Sequence, residues 1–168
     1  MSKNLEQTLV LFKPDALQRG LVGEILTRFE RVGLRIVGTK MIAPDKAHFH
    51  THYEDIGQVI TRRGETVFNQ VLGMMTDGPV IAMVFEGVEA VALVRKMVGA
   101  TEPKSSAPGT IRGDFSHMSY GYADTEDKGI PNLIHASGDS EEAVKEVAHW
   151  FSDEELFDYE ALHEKFTR

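Results

Sequence analysis

His135 stands where a short apolar run, Leu133-Ile134, meets three small residues, Ala136-Ser137-Gly138. Asp139 then offers a helix N-cap, with Glu142 three residues on as its reciprocal partner. A strand end, small residues and a helix N-terminus in that order leave backbone N–H groups open to an anion. An imidazole beside such a site can attack a phosphoryl group, provided it is neutral with one nitrogen free. The other nitrogen then needs an acceptor to fix the tautomer. Glu146, within the following helix, can fold back to supply one. A histidine ending a strand is more often a structural residue, and a helical glutamate is more often solvated. The chemical reading rests on their occurring together.

Cations are available to meet such an anion. Lys13 directly follows the first apolar run, and strand ends of α/β sheets are where ligands bind. Arg95 lies near a helix end, and Arg112 follows the turn Pro108-Gly109. Each charged contact to a phosphate in a cleft contributes on the order of a few kcal/mol before desolvation. Any one of these residues alone would read as a surface cation. The chain has no G-x-x-x-x-G-K-[ST] loop, no H-E-x-x-H and no G-x-S-x-G. Nucleotide chemistry here would have to work without a P-loop.

The elements that must position these residues are legible from hydrophobic periodicity. Thr8 to Phe12 reads as a strand covered on both faces, and Val22 to Arg31 as a helix with Val22, Ile25, Leu26 and Phe29 inward. Leu34 to Met41 alternates as a strand. Asp45 to Tyr53 and Glu65 to Met75 read as helices, the second with Val67, Val71, Leu72 and Met75 on one face, and Glu54 to Gly64 as a loop between them. Val80 to Phe85 is an apolar strand after the turn Gly78-Pro79, and Val88 to Val98 a helix. Gly99 to Gly109 reads as a long surface loop, and Ile111 to Gly129 shows no periodicity. Asn132 to Ala136 is the last strand, followed by a helix whose buried stripe would be Ala143, Val144, Val147, Ala148 and Phe151. The order β-α-β-α-α-β-α-β-α predicts an α/β sandwich, and a ferredoxin-like split βαβ fits it.

The 168 residues suffice for a single domain, 1–168, with an ordinary globular balance of 42% hydrophobic and 26% charged. A net charge of −8 argues against a nucleic-acid polymer or a polybasic membrane anchor as partner. Without cysteine there are no disulfides and no thiolate metal sites. The start Met1-Ser2-Lys3-Asn4-Leu5 lacks a secretory apolar stretch, and no run spans a bilayer, so a cytoplasmic protein is expected.

The segment Asn132-Leu133-Ile134-His135-Ala136-Ser137 resembles the active-site signature of nucleoside diphosphate kinases. Thr8 to Asp15 resembles that family's first strand with its Lys-Pro-Asp. Gln18 to Ile25, His52-Tyr53, Gly78-Pro79, Pro108 to Phe115 and Trp150-Phe151 follow in the family's order. The resemblance covers nearly the whole chain. It implies a ferredoxin-like βαββαβ fold with a four-stranded antiparallel sheet covered by helices. It also implies ping-pong transfer of a γ-phosphate from a nucleoside triphosphate to a nucleoside diphosphate, with His135 as phosphohistidine carrier attacking through Nδ1. On this reading Glu146 holds the other ring nitrogen and Ser137 hydrogen-bonds nearby. Lys13 and Tyr53 lie by the transferred phosphate, Arg95, Thr101 and Arg112 hold the outer phosphates, and Asn132 meets the sugar. Magnesium would ride on the nucleotide phosphates, with few or no direct protein ligands. A homo-oligomer is implied, and the tail after Phe151 favours a hexamer over a tetramer or dimer.

Two alternatives follow from the same residues: a phosphohistidine carrier or protein-histidine kinase with little nucleotide turnover, and a non-catalytic nucleotide-binding regulator. The histidine–glutamate pair argues against the second. The chain departs from the family pattern at Gly138, which takes a position usually acidic. It departs again where the base-stacking aromatic belongs: Val67 falls there, with Phe68 next to it, and both are expected at the nucleotide. The segments around Ile56 to Gly64 and His117 to Gly129 are longer than usual.

Overall fold

The computed structural model describes residues 4–167. Its four-stranded sheet has the order β2-β3-β1-β4, and every pairing is antiparallel. β1 (Leu5–Phe12) lies inside, between β3 (Val80–Val88) and the three-residue β4 (Ile134–Ala136), and β2 (Arg35–Ile42) forms the far edge. The period-2 alternation of β1 divides the core. Val10 and Phe12 pack with Phe29, Phe85, Val94, Leu133 and Ile134 on one face of the sheet. Leu9 and Leu11 pack with Phe49, Tyr53, Phe68, Met75 and Trp150 on the other.

The helices follow in order. α1 (Pro14–Gln18) and α2 (Val22–Arg31) fall between β1 and β2. α3 (Lys46–His50), a π-helical turn at Thr51–Ile56, α4 (Val59–Arg63) and α5 (Glu65–Met75) lie between β2 and β3. α6 (Ala90–Val98), α7 (Ile111–Phe115) and α8 (Tyr120–Thr125) precede β4. α9 (Ser140–Trp150) and α10 (Glu164–Thr167) complete the chain.

Several expectations are corrected. The stretch read as a loop at Glu54 to Gly64 holds α4, a single turn too short for periodicity to register. The stretch without periodicity holds α7 and α8, each capped at its start by a side chain, Thr110 and Ser119. Within the long loop, Pro103 is buried and opens a 3₁₀ turn, Pro103–Ser105. The stretch read as helix from Val88 loses its first residue to β3. The last strand begins at Ile134 rather than Asn132, because Leu133 adopts a left-handed backbone with φ of 71°. The stripe of α9 is Ala143, Glu146, Val147 and Trp150, while Val144 is 71% exposed and Ala148 exposed. A carboxyl group therefore occupies a core-facing position of that helix.

Candidate active site

In the sheet His135 pairs with Leu11, and Ile134 and Ala136 on either side belong to the opposite core cluster. The pleat therefore turns His135 toward the face carrying α9, which brings Glu146 over the strand. Nε2 of His135 meets Glu146 Oε1 at 2.9 Å. Ser137 Oγ donates to the other carboxylate oxygen at 2.6 Å and itself accepts from Leu9 N–H at 3.1 Å. Both Glu146 and Ser137 are buried, whereas His135 is partly open to solvent. The carboxyl group is thus fixed from both sides, and Nδ1 remains for chemistry.

The helix start beneath differs in one detail from expectation. Asp139 accepts from Glu142 N–H at 2.8 Å as its cap should. Glu142, however, reaches past Asp139 and accepts from Gly138 N–H at 3.2 Å. Its other oxygen pairs with Arg62 at 3.1 Å.

His135 opens into a cleft of about 720 Å³, a size suited to a small-molecule substrate. Lys13, Tyr53, Val67, Arg95, Thr101, Arg112, Asn132 and Glu146 line it, so the cleft gathers nearly all the residues expected of the site. Lys13 follows β1 as its backbone N–H bonds Leu133, and its ammonium donates to Asn132 Oδ1 at 2.7 Å. Burial, with Arg112 adding to it and Asp15 opposing, pulls Lys13 down to about 7. Burial chiefly, then the Glu146 charge, pushes Tyr53 well above the ordinary phenol range. Its hydroxyl is buried without a hydrogen-bond partner among the described residues.

Arg112 presents its charge to the cleft, yet its donors are used on backbone. They reach the carbonyls of Asn132 (3.1 Å), Ile134 (2.5 Å), Gly99 (3.3 Å) and Ala100 (3.1 Å). Burial and then Arg95 lower it to about 10, which leaves it charged at neutral pH. Arg112 therefore braces the turn at Leu133 as well as charging the cleft. Asn132 completes this frame by donating to the Thr101 carbonyl at 2.8 Å.

Phe68 is a correction. It is 5% exposed and packs in the core with Phe49 and Met75, so it cannot stack on a ligand in the cleft. One residue is about 100° on a helix; Val67 accordingly faces the cleft and Phe68 the core. The cleft also contains residues that sequence reasoning missed. Arg62 and Arg63 come from α4, and Tyr120, Asp124 and Lys128 from the stretch around α8. These two longer segments meet. Arg63 donates to the Tyr120 hydroxyl at 3.0 Å, and Gln70 to Asp127 at 3.0 Å. The only sequence signals for them were the glycines flanking α4 and the Ser119 cap. Side-chain donor atoms of His52, His135 and Glu146 lie within 4.8 Å of one another. Both Glu146 oxygens and His52 Nδ1 are already hydrogen-bonded, so the cluster reads as a hydrogen-bonded unit rather than a metal centre.

The family profile described as Nucleoside diphosphate kinase matches residues 6–156. The chain belongs to the nucleoside diphosphate kinase family. A nucleoside diphosphate kinase of Borreliella burgdorferi is 45% identical over 157 residues, covering 92% of each chain. One of Pyrococcus furiosus is 46% identical over 155 residues, covering 92% of this chain and 88% of its own. Among solved structures, a transition-state mimic of nucleoside-diphosphate kinase from Borrelia burgdorferi with bound vanadate and ADP superposes with a TM-score of 0.94. It is 42% identical, and the match covers 97% of this chain and 96% of that one. A halophilic family member from Halobacterium salinarum in complex with CDP gives a TM-score of 0.82 at 38% identity, covering 97% and 98%. As a family member this chain is a phosphotransferase acting between nucleoside tri- and diphosphates. Among the described residues no helix is long and apolar enough to cross a membrane.

Proposed function

We propose that His135 is the nucleophile of a ping-pong γ-phosphate transfer and that Glu146, Lys13, Tyr53 and the cleft arginines serve it. The observation that carries this is the Glu146 bond to Nε2, which leaves Nδ1 with its lone pair toward the cleft. Nδ1 attacks the γ-phosphorus of a nucleoside triphosphate. The bond to the β–γ bridging oxygen breaks, and its electron pair leaves with the diphosphate. The ring gains positive charge, which Glu146 stabilises through Nε2–H. A second nucleoside diphosphate then attacks the phosphohistidine, and the electron pair of the N–P bond returns to Nδ1. Charge spreads over the transferred oxygens in such steps, so fixed cations lower the barrier. Lys13, Arg95 and Arg112 supply them, and Thr101 and Asn132 complete the rim.

Magnesium would be carried on the nucleotide phosphates and would neutralise phosphate charge there. The residues fit an ion carried in this way. Near His135, Glu146 is engaged by His135 and Ser137, and Glu142 by Gly138 and Arg62; Gly138 offers no carboxylate. The family match over residues 6–156 supports a single domain, 1–168. The reading includes a cytoplasmic homo-oligomer, with a hexamer favoured over a tetramer or dimer. Nucleotide substrates support the location. Phe157, Leu162 and Phe166, 65%, 95% and 80% exposed on the tail, support a further copy covering them.

The test is labelling with γ-labelled ATP. An acid-labile, base-stable phosphoryl group on His135 is expected, lost together with turnover in a folded His135→Ala variant. Equal labelling of that variant would remove His135 from this role.

A further inference from the structure

Trp150 and His52 lie behind the reacting pair. The indole Nε1–H donates to His52 Nδ1 at 3.2 Å, and the two residues are 2% and 1% exposed. An indole nitrogen can only donate, so Nδ1 of His52 carries a lone pair and the ring proton sits on Nε2. Nδ1 also lies 3.7 Å from Glu146 Oε1. The His52 ring stands edge-on to His135, with centroids 4.5 Å apart. Oε1 is also the oxygen that meets His135 Nε2 at 2.9 Å. Two imidazoles thus approach one carboxylate oxygen, and only His135 brings it a proton. The π-helical turn carries His52 and Tyr53 in succession to this wall, and such turns recur at functional sites.

His52 nevertheless has a reason to change its proton. Its Nε2 is buried without a hydrogen-bond partner among the described residues. A buried donor left unmade is costly, and moving the proton to Nδ1 would place it opposite a carboxylate. Burial first, then His135, His149, His48 and Lys13, hold His52 well below the ordinary histidine range, so the ring carries one proton and must choose. Among the described contacts the indole is what opposes the other choice.

We propose that Trp150 is a positioning residue acting through His52: by occupying Nδ1 it forbids the tautomer in which His52 would donate to Glu146, and so reserves that carboxylate oxygen for His135. Without the indole N–H, a modest shift closes the gap to the roughly 3 Å of a hydrogen bond. Glu146, shared between two donors, then stabilises the charged His135 ring less. This rests on the reading of His135 as nucleophile and Glu146 as its partner.

The experiment is a double-mutant cycle on the full chain. Trp150→Phe keeps the ring and removes the donor. It should slow phosphorylation of His135 by ATP about 10-fold, the scale of an outer hydrogen-bond partner, with nucleotide Kd unchanged. In the His52→Phe background the same substitution should have no effect on the rate, since no competitor remains. A merely structural role for Trp150 would persist there. ¹⁵N-histidine spectra of the wild type should show His52 protonated at Nε2 alone. That measurement needs no substitution and decides the case if a variant fails to fold. An unchanged rate in Trp150→Phe, a slowing that persists in the His52→Phe background, or an Nδ1–H tautomer in the wild type overturns the inference. A wild-type chain that takes no label on His135 overturns the reading beneath it instead.

Discussion

Nucleotide binding should draw a proton onto Lys13. The ligand-free ammonium is buried at 6% exposure, and burial with the nearby Arg112 charge lowers it to about 7. At pH 8 such a group is only ~10% protonated. A bound phosphate brings negative charge to a low-dielectric site and restores the ordinary preference for the ammonium. Binding of ADP at pH 8 should therefore take up ~0.9 proton per site from solution. Calorimetric titrations in buffers of different ionisation enthalpy measure this directly, as the slope of observed against buffer enthalpy. Lys13→Met should bind more weakly with a slope near zero. A slope near zero in the wild type, or the same slope in Lys13→Met, would refute the reasoning. The sign for stability follows from the same shift. Between about pH 7 and the unfolded value of 10.5 the unfolded chain holds more protons, so this group makes ligand-free stability rise with pH across that window.

Glu146→Gln should slow phosphorylation ~10²–10⁴-fold, the scale of a positioned acid–base partner, with little change in nucleotide Kd; a wild-type single-turnover rate would reduce Glu146 to a structural residue. Val67→Phe should tighten nucleotide binding by adding a ring to the cleft. Phe68→Ala should leave Kd nearly unchanged but cost ~3–5 kcal/mol of stability, as buried Phe truncations do; a large loss of affinity at preserved stability would place Phe68 at the ligand after all.

Much of this architecture was legible because the proposed reacting residues sit on strongly patterned elements. β1 and β3 are apolar at residues 9–12 and 80–85, and Lys13 is read directly from the end of the first. The Glu146 position follows from Asp139, whose cap fixes where α9 starts. Its burial was less legible, since Val144 and Ala148 are the more apolar residues yet face solvent. The missing information was the tertiary partner: Glu146 is buried because His135 and Ser137 satisfy it. The truncation of β4 was illegible for a similar reason. A left-handed leucine is unfavourable on its own. It is held by Asp15 on its N–H (2.9 Å), Lys13 N–H on its carbonyl (2.9 Å) and Arg112 on both neighbouring carbonyls.

The unread part of the site is concentrated at one end, and this follows from how its two halves are built. The end proposed for the phosphates stands on a frame that long-range hydrogen bonds lock to the sheet: Lys13 to Asn132, Asn132 to Thr101, Arg112 to the backbone around Leu133. Such a frame demands particular residues at particular places, and they show in the sequence. The other end is bounded by α5 and the segment around α8, with Val67, Val71, Met74, Ala123 and Ile130 among its lining. Aliphatic walls act through dispersion, which is non-directional and asks only for apolar bulk. The links between these walls, Arg63 to Tyr120 and Gln70 to Asp127, are exposed single hydrogen bonds that many pairs could make. Phosphate contacts are common to all nucleotides, and dispersion accepts any flat ring. The arrangement thus supports broad base tolerance, with the phosphates supplying most of the affinity. It also explains how a chain with Val67 on that wall can retain the residues proposed to serve Nδ1 of His135.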